Sequence, residues 1–241
     1  TEGKNFHFIF RTIGRDDQQG PAAAKFIINK AKPKKVAVLH DKQSYGQGIA
    51  ASVRDELKKA NVDVALFEGI NAGDSDYSAV ITKLKSAGAD FVYYGGYHPE
   101  MGLLLRQAAE QGLKVRMMGP EGVGNPEINA IAGNAVEGML VTLPADPASK
   151  PENAALVKAF KDKGRDPSGA FQMGAYTATQ VLAQSIKAVG DDAEKVADYL
   201  HKTAFNMPTG NVAWDAKGDL KAFDFPVYSW HKDGSKSVAE K

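Results

Sequence analysis

The chain has 241 residues, with 30 basic and 29 acidic side chains, a net charge of +1 and no cysteine. That length supplies one large domain or two small ones with a full core. The balanced charge argues against nucleic acid as the main partner, because no basic excess exists to neutralise phosphates, and the missing thiol removes disulfides, thiolate catalysis and zinc–thiolate sites.

Residues 6–11 alternate, with Phe6, Phe8 and Phe10 on one face, which predicts a strand. A polar run through residues 14–20 leads into a helix with Pro21 near its first turn. Ala24, Ile27, Ile28 and Ala31 recur at helical spacing and Pro33 ends the helix. Strands and helices then alternate strictly. Strands are predicted at 35–40, 62–67, 91–94, 115–118 and 138–142. Between them, Ile49, Val53 and Leu57, then Tyr77, Val80, Ile81 and Leu84, then Met101, Leu104, Leu105 and Ala108 mark helices, with a short one at 126–132. This repetition predicts an α/β fold with a doubly wound parallel sheet and helices on both faces.

Residues 144–151 hold three prolines and read as a linker. Beyond it, helices are predicted around Leu156, Val157 and Phe160, along Phe171, Ala175, Ala178, Leu182, Ile186 and Val189, and over 193–200. A hairpin is expected over 211–220 and a last strand over 225–231, with the polar tail from Lys232 fraying after Asp233-Gly234. These later helices carry a wide apolar stripe but no run of central strands to cover. The expectation is therefore one complete lobe and one partial lobe.

The stretch Phe91-Val92-Tyr93-Tyr94-Gly95-Gly96-Tyr97-His98-Pro99-Glu100 is a buried strand running through a glycine turn into a helix start. It sets Tyr97 at the carboxyl end of a parallel strand, where ligands bind in open α/β sheets. Tyr45 follows the strand at 35–40 in the same way, and Glu121 follows the strand at 115–118 in a turn with Gly119, Gly122 and Gly124. From chemistry alone, Glu121 is equally a solvated loop acid or a carboxylate for a cation. Tyr97 is a hydrogen-bonding aromatic or a packing residue, and Tyr45 a site residue or a surface tyrosine at a helix start. Phe171 opens the long helix and reads first as a core phenylalanine. The five histidines are scattered without ligand spacing, which predicts no metal site. Gly119 to Gly124 is not a G-x-G-x-x-G run and no Walker-type lysine follows it, so no cofactor and no catalytic residues are expected, and a nucleotide-dependent enzyme is disfavoured.

Several runs, in order along almost the whole chain, resemble the leucine and branched-chain amino-acid binding proteins of bacterial ABC importers. They are His40-Asp41-Lys42-Gln43-Ser44-Tyr45-Gly46, residues 91–101, Met118-Gly119-Pro120-Glu121-Gly122-Val123-Gly124-Asn125, Asp166-Pro167-Ser168-Gly169, and Trp214-Asp215-Ala216-Lys217-Gly218-Asp219-Leu220-Lys221. The resemblance implies a two-lobed fold of the type I periplasmic-binding-protein kind, with three crossings and a ligand cleft between lobes. Crossings are expected near 15–16, 143–146 and 222–225. Residues 16–143 and 223–241 would form the complete lobe. Residues 1–15 and 146–221 would form a partial one, its first strands absent from a chain whose numbering starts on a mature or truncated product.

The resemblance further implies a binding protein rather than an enzyme, located in the periplasm. Its ligand would be leucine, isoleucine or valine and its partner a membrane ABC permease, with a second chain expected to supply the missing first segment. Glu121 would meet the ligand ammonium, Tyr45 and Tyr97 would line the site, and Phe171 would touch the ligand side chain. A sensory or regulatory small-molecule-binding domain of the same architecture is the alternative.

Overall fold

The computed structural model describes residues 6–169 and 171–239. The chain divides into two compact units, one of residues 15–143 with 225–241 and one of residues 1–14 with 144–224. Residues 1–5 and 240–241, which fall within the expected lobes, lie outside the described residues.

The larger unit begins with α1 (Asp16–Phe26). Its start is set by the Arg15 backbone N–H, which donates to Gln18 Oε1 at 2.9 Å, and by Asp16 and Asp17 at the positive helix end. Pro21 therefore sits inside the helix rather than at its first turn. A π-turn over Ile27–Ala31 follows and closes at Lys32, whose left-handed φ of 46° reverses the chain. Then come β1 (Val36–His40), α2 (Ser44–Lys59), β2 (Val64–Gly69), α3 (Ser78–Ala87), β3 (Phe91–Gly95), α4 (His98–Glu110), β4 (Arg116–Gly119), α5 (Ile128–Ala132) and β5 (Met139–Thr142).

The smaller unit supplies α6 (Ala154–Lys161), α7 (Gln172–Val189), α8 (Ala193–Lys202), β6 (Phe205–Met207) and β7 (Gly210–Val212). The chain then returns to the larger unit with β8 (Val227–Trp230) and β9 (Lys236–Val238).

The larger unit's sheet has the order β2-β1-β3-β4-β5-β8-β9. The first five strands are parallel, as the alternation of strands and helices predicts, and β8 and β9 add an antiparallel edge. The tail does not fray after Asp233 and Gly234. Asp233 accepts from the Ser235 N–H at 2.9 Å, Gly234 takes a φ of 82°, and β9 folds back along β8. β1, β3 and β5 are buried along their whole length, which matches their continuous apolar runs. On one face Val36, Val38, Phe91, Tyr93, Met118 and Leu140 pack against α1 and α2.

The smaller unit has its own core of Val181, Leu200, Phe205, Met207, Val212 and Trp214. The expected hairpin over 211–220 is displaced. β6 and β7 form the two-stranded sheet, and Trp214 and Leu220 make a single bridge around the turn at Asp215 and Gly218. Nor do residues 6–11 form a strand. They run beside that turn, held by the Arg11 N–H on Gly218 O (2.9 Å), by Trp214 Nε1 on Arg11 O (2.6 Å) and by Phe10 against the Trp214 ring. Alternation misled because Phe6 and Phe8 are exposed and only Phe10 is packed. The segment read as a linker folds into two 3₁₀ turns, pinned by Asn153 Nδ2, which donates to Pro147 O and Pro208 O.

Candidate functional site

Strand order reverses at β1 and β3: one connection leaves β1 toward β2, and the next unit starts on the other side with β3. In open sheets the crevice outside the carboxyl ends at such a reversal is where ligands bind. Tyr45 is the second residue of α2, just beyond β1, and Tyr97 is the N-cap of α4, just beyond β3. Glu121 opens the 3₁₀ turn that follows β4.

Two glycines let these loops meet. A Cβ on Gly95 would collide with the Gly46 carbonyl, and one on Gly46 would collide with the Asp41 carboxylate and the Gly95 carbonyl. The first turn of α2 therefore lies directly on the end of β3, where Gly95 O also accepts from the Asp41 N–H at 3.1 Å. What the missing Cβ of Gly95 admits is the backbone of α2. Glu100 is buried in the first turn of α4 and accepts from the Gly73 N–H at 3.0 Å, tying the loop after β2 to the same edge.

As a result the Tyr45 and Tyr97 rings lie 5.3 Å apart at 40°. Tyr45 Oη accepts a long, 3.4 Å hydrogen bond from the Gly122 N–H. A Cβ on Gly122 would stand 2.7 Å from the Gly96 carbonyl oxygen and 3.1 Å from a carbon of each ring, so glycine lets the turn pack closely against both. Tyr97 is 48% exposed, so one of the two rings faces solvent.

Glu121 is partly buried, and its Oε2 is shielded from solvent with no hydrogen-bond partner among the described residues. Burial, and secondarily the Asp16 carboxylate, push its carboxyl up to about 7. Burial, then the charge of Glu121, raise the Tyr45 phenol well above its usual range, so it stays a neutral donor. A desolvated carboxylate beside two aromatic faces is suited to a cation that brings its own hydrogen-bond donors.

The structure thus gathers Tyr45, Tyr97 and Glu121 at one edge of one unit. Phe171 belongs to the other unit, where it caps α7 and is 55% exposed, so it is not the core phenylalanine its sequence setting first suggests. Two contributors carried no mark of their role in the sequence: Gly122, named there only as a turn glycine, and Asp16. Asp16 stood in a polar run with no mark of its role, since its proximity to Glu121 depends on where α1 docks.

A family profile described as periplasmic binding protein matches residues 1–235. The chain belongs to the periplasmic binding protein family. It is 57% identical over 97% of its length to a leucine-, isoleucine-, valine-, threonine- and alanine-binding protein of Pseudomonas aeruginosa, of which it covers 63%. It is 48% identical over 98% of its length to a Leu/Ile/Val-binding protein of Escherichia coli, covering 64% of that protein. The chain therefore spans a little under two thirds of these relatives. Among solved structures of the family, a leucine-binding protein of Thermotoga maritima superposes with a TM-score of 0.85 at 30% identity, over 99% of this chain and 68% of that one. These family members are named as binding proteins, not enzymes.

Proposed function

We propose that this chain binds leucine or a related branched-chain aliphatic amino acid, as the solute-binding component of a periplasmic ABC import system whose membrane partner is a permease. The observation that carries the reading is the desolvated carboxylate of Glu121, whose Oε2 has no hydrogen-bond partner among the described residues, beside the Tyr45–Tyr97 pair at the strand-order reversal. An α-amino acid carries an ammonium with three donors, which satisfies such a carboxylate. A charge-assisted contact of this kind is worth about 1.5–3 kcal/mol. Burying a leucine side chain adds roughly 2 kcal/mol. The names of the relatives support this choice of ligand.

In this reading the unit of residues 15–143 and 225–241 is the complete lobe of the family fold, and that of residues 1–14 and 144–224 the partial one. The test is calorimetric titration with leucine of the chain and of its Glu121→Gln variant. The reading expects binding that weakens about a hundredfold in the variant, the size of a lost charged hydrogen bond. An unchanged dissociation constant removes Glu121 from the site. If the chain alone shows no binding, the titration is repeated on a chain extended to the full length of the relatives, and failure there rejects the ligand.

A further inference from the structure

Behind Glu121 the face of the sheet that meets α1 ends in polar atoms. Gln19 and Thr142 are fully buried, and Gln19 Nε2 donates to the Thr142 carbonyl at 3.2 Å. Gln19 Oε1 and Thr142 Oγ1 nevertheless have no hydrogen-bond partner among the described residues, and the same holds for the Tyr93 hydroxyl and Glu121 Oε2. The residues of α1, β3 and β5 that carry them share one face of the sheet. Tyr93, Met118 and Leu140 stand in register across β3, β4 and β5 and share one core cluster with Ala23 and Ala24 of α1. The two-residue period of a strand puts Thr142 on the face of Leu140. Gln19 lies one helical turn before Ala23, on the same side of α1.

A buried hydroxyl without a partner is destabilising, and a phenylalanine would fill the volume of Tyr93 without it. The Tyr93 phenol is raised well above its usual range by burial first, then by Tyr45, Asp16 and Glu121, which places it in the electrostatic neighbourhood of the site. An internal water needs two to four polar partners, which these groups supply.

We infer that Tyr93, Gln19 and Thr142 hold an internal water behind Glu121, and that Tyr93 is a positioning residue for the Glu121 carboxylate. The Tyr93 hydroxyl donates to the water, and the water donates to Glu121 Oε2, fixing the carboxylate and favouring its ionised form. The ionisable groups around it are Asp16 from α1, Tyr45 from α2, Tyr93 from β3 and Tyr97 at the start of α4. The inference rests on the reading of Glu121 as the carboxylate for a ligand ammonium.

The test reads Glu121 directly. In the unliganded chain labelled with ¹³C-glutamate, the Glu121 carboxyl signal is assigned by its loss in Glu121→Gln and followed through a pH titration. Tyr93→Phe is expected to fold, with its melting temperature lowered modestly by the lost hydrogen bond to the water, while the Glu121 midpoint moves up by about half to one pH unit. Leucine affinity at pH 7 then falls about threefold, as the ionised fraction falls. A folded Tyr93→Phe with an unmoved Glu121 midpoint overturns the inference. Should that variant not fold, Thr142→Val removes another partner of the same water with little change of shape. An upward shift there supports the inference and none overturns it. A shift of Glu121 without branched-chain amino-acid binding in any variant keeps Tyr93 in its role and rejects the ligand assignment instead.

Discussion

The two units solve the same problem with different resources. In the larger, helices lie on a seven-stranded sheet, and Leu39, Ile49, Leu57, Ile81, Leu84 and Leu104 are all fully buried. In the smaller, the only sheet among the described residues has two strands of three residues, and α6 has no buried residue. α7 buries Met173, Thr177, Val181 and Ser185, two of them polar, while Phe171, Leu182 and Ile186 are exposed. A helix thus buries the stripe its surroundings can cover, even where another stripe is more apolar. In the larger unit the two coincide because the sheet is wide enough to receive every apolar face.

The largest effect should come from removing the centre of the smaller core. Trp214 is 2% exposed, donates through Nε1 to Arg11 O and meets Phe10 and Phe205 edge-on. Trp214→Ala should cost about 3–5 kcal/mol. Because the core is small, hydrogen exchange should show loss of protection across α7, α8, β6 and β7 while β1, β3 and β5 stay protected. Equal loss in both units would show that they do not differ in self-sufficiency, and the comparison would fail.

A second effect sharpens the contrast by acting in the larger unit alone. Glu121 titrates near 7 in the folded chain against an ordinary value of 4.5. The folded state therefore binds the Glu121 proton more tightly than the unfolded one. Between about pH 4.5 and 7 the unliganded chain loses stability as pH rises, and the loss is complete above 7. Binding an ammonium has the opposite sign, because it requires the ionised carboxylate. Leucine affinity should rise about tenfold from pH 6 to pH 8, with proton release near pH 7. Glu121→Gln should flatten both dependences, and melting curves with calorimetry at three pH values would detect either. A pH-independent affinity over that range would mean that Glu121 does not meet the ammonium.

The fold class was legible in the sequence because each parallel strand is a short apolar run followed at once by a helix with one apolar stripe. The shared edge of Tyr45, Tyr97 and Glu121 was legible for the same reason: each directly follows a strand, and strand ends converge. What escaped depended on contacts distant in the chain. Nothing local marks Asp16 as a neighbour of Glu121, or Gly122 as the residue that packs against both tyrosine rings. The apparent strand at 6–11 failed because alternation describes a strand only when a sheet is there to pair with. β9 was missed because a three-residue strand in a polar tail is made by its turn and its partner, not by hydrophobicity.

The smallest effect tests α7 at two adjacent positions. Val181 is 2% exposed and Leu182 49% exposed, though leucine is the larger side chain. Val181→Ala removes packed methyl groups from the core and should cost about 1–3 kcal/mol. Leu182→Ser removes more apolar surface, but surface already in water, and should change stability by less than about 0.5 kcal/mol. Urea melts of the two variants under the same conditions would compare them. A loss above about 1 kcal/mol in Leu182→Ser would mean that the outward stripe is covered in solution. Comparison of the melts at two protein concentrations would then show whether the cover is another copy of the chain, since only association makes the midpoint depend on concentration.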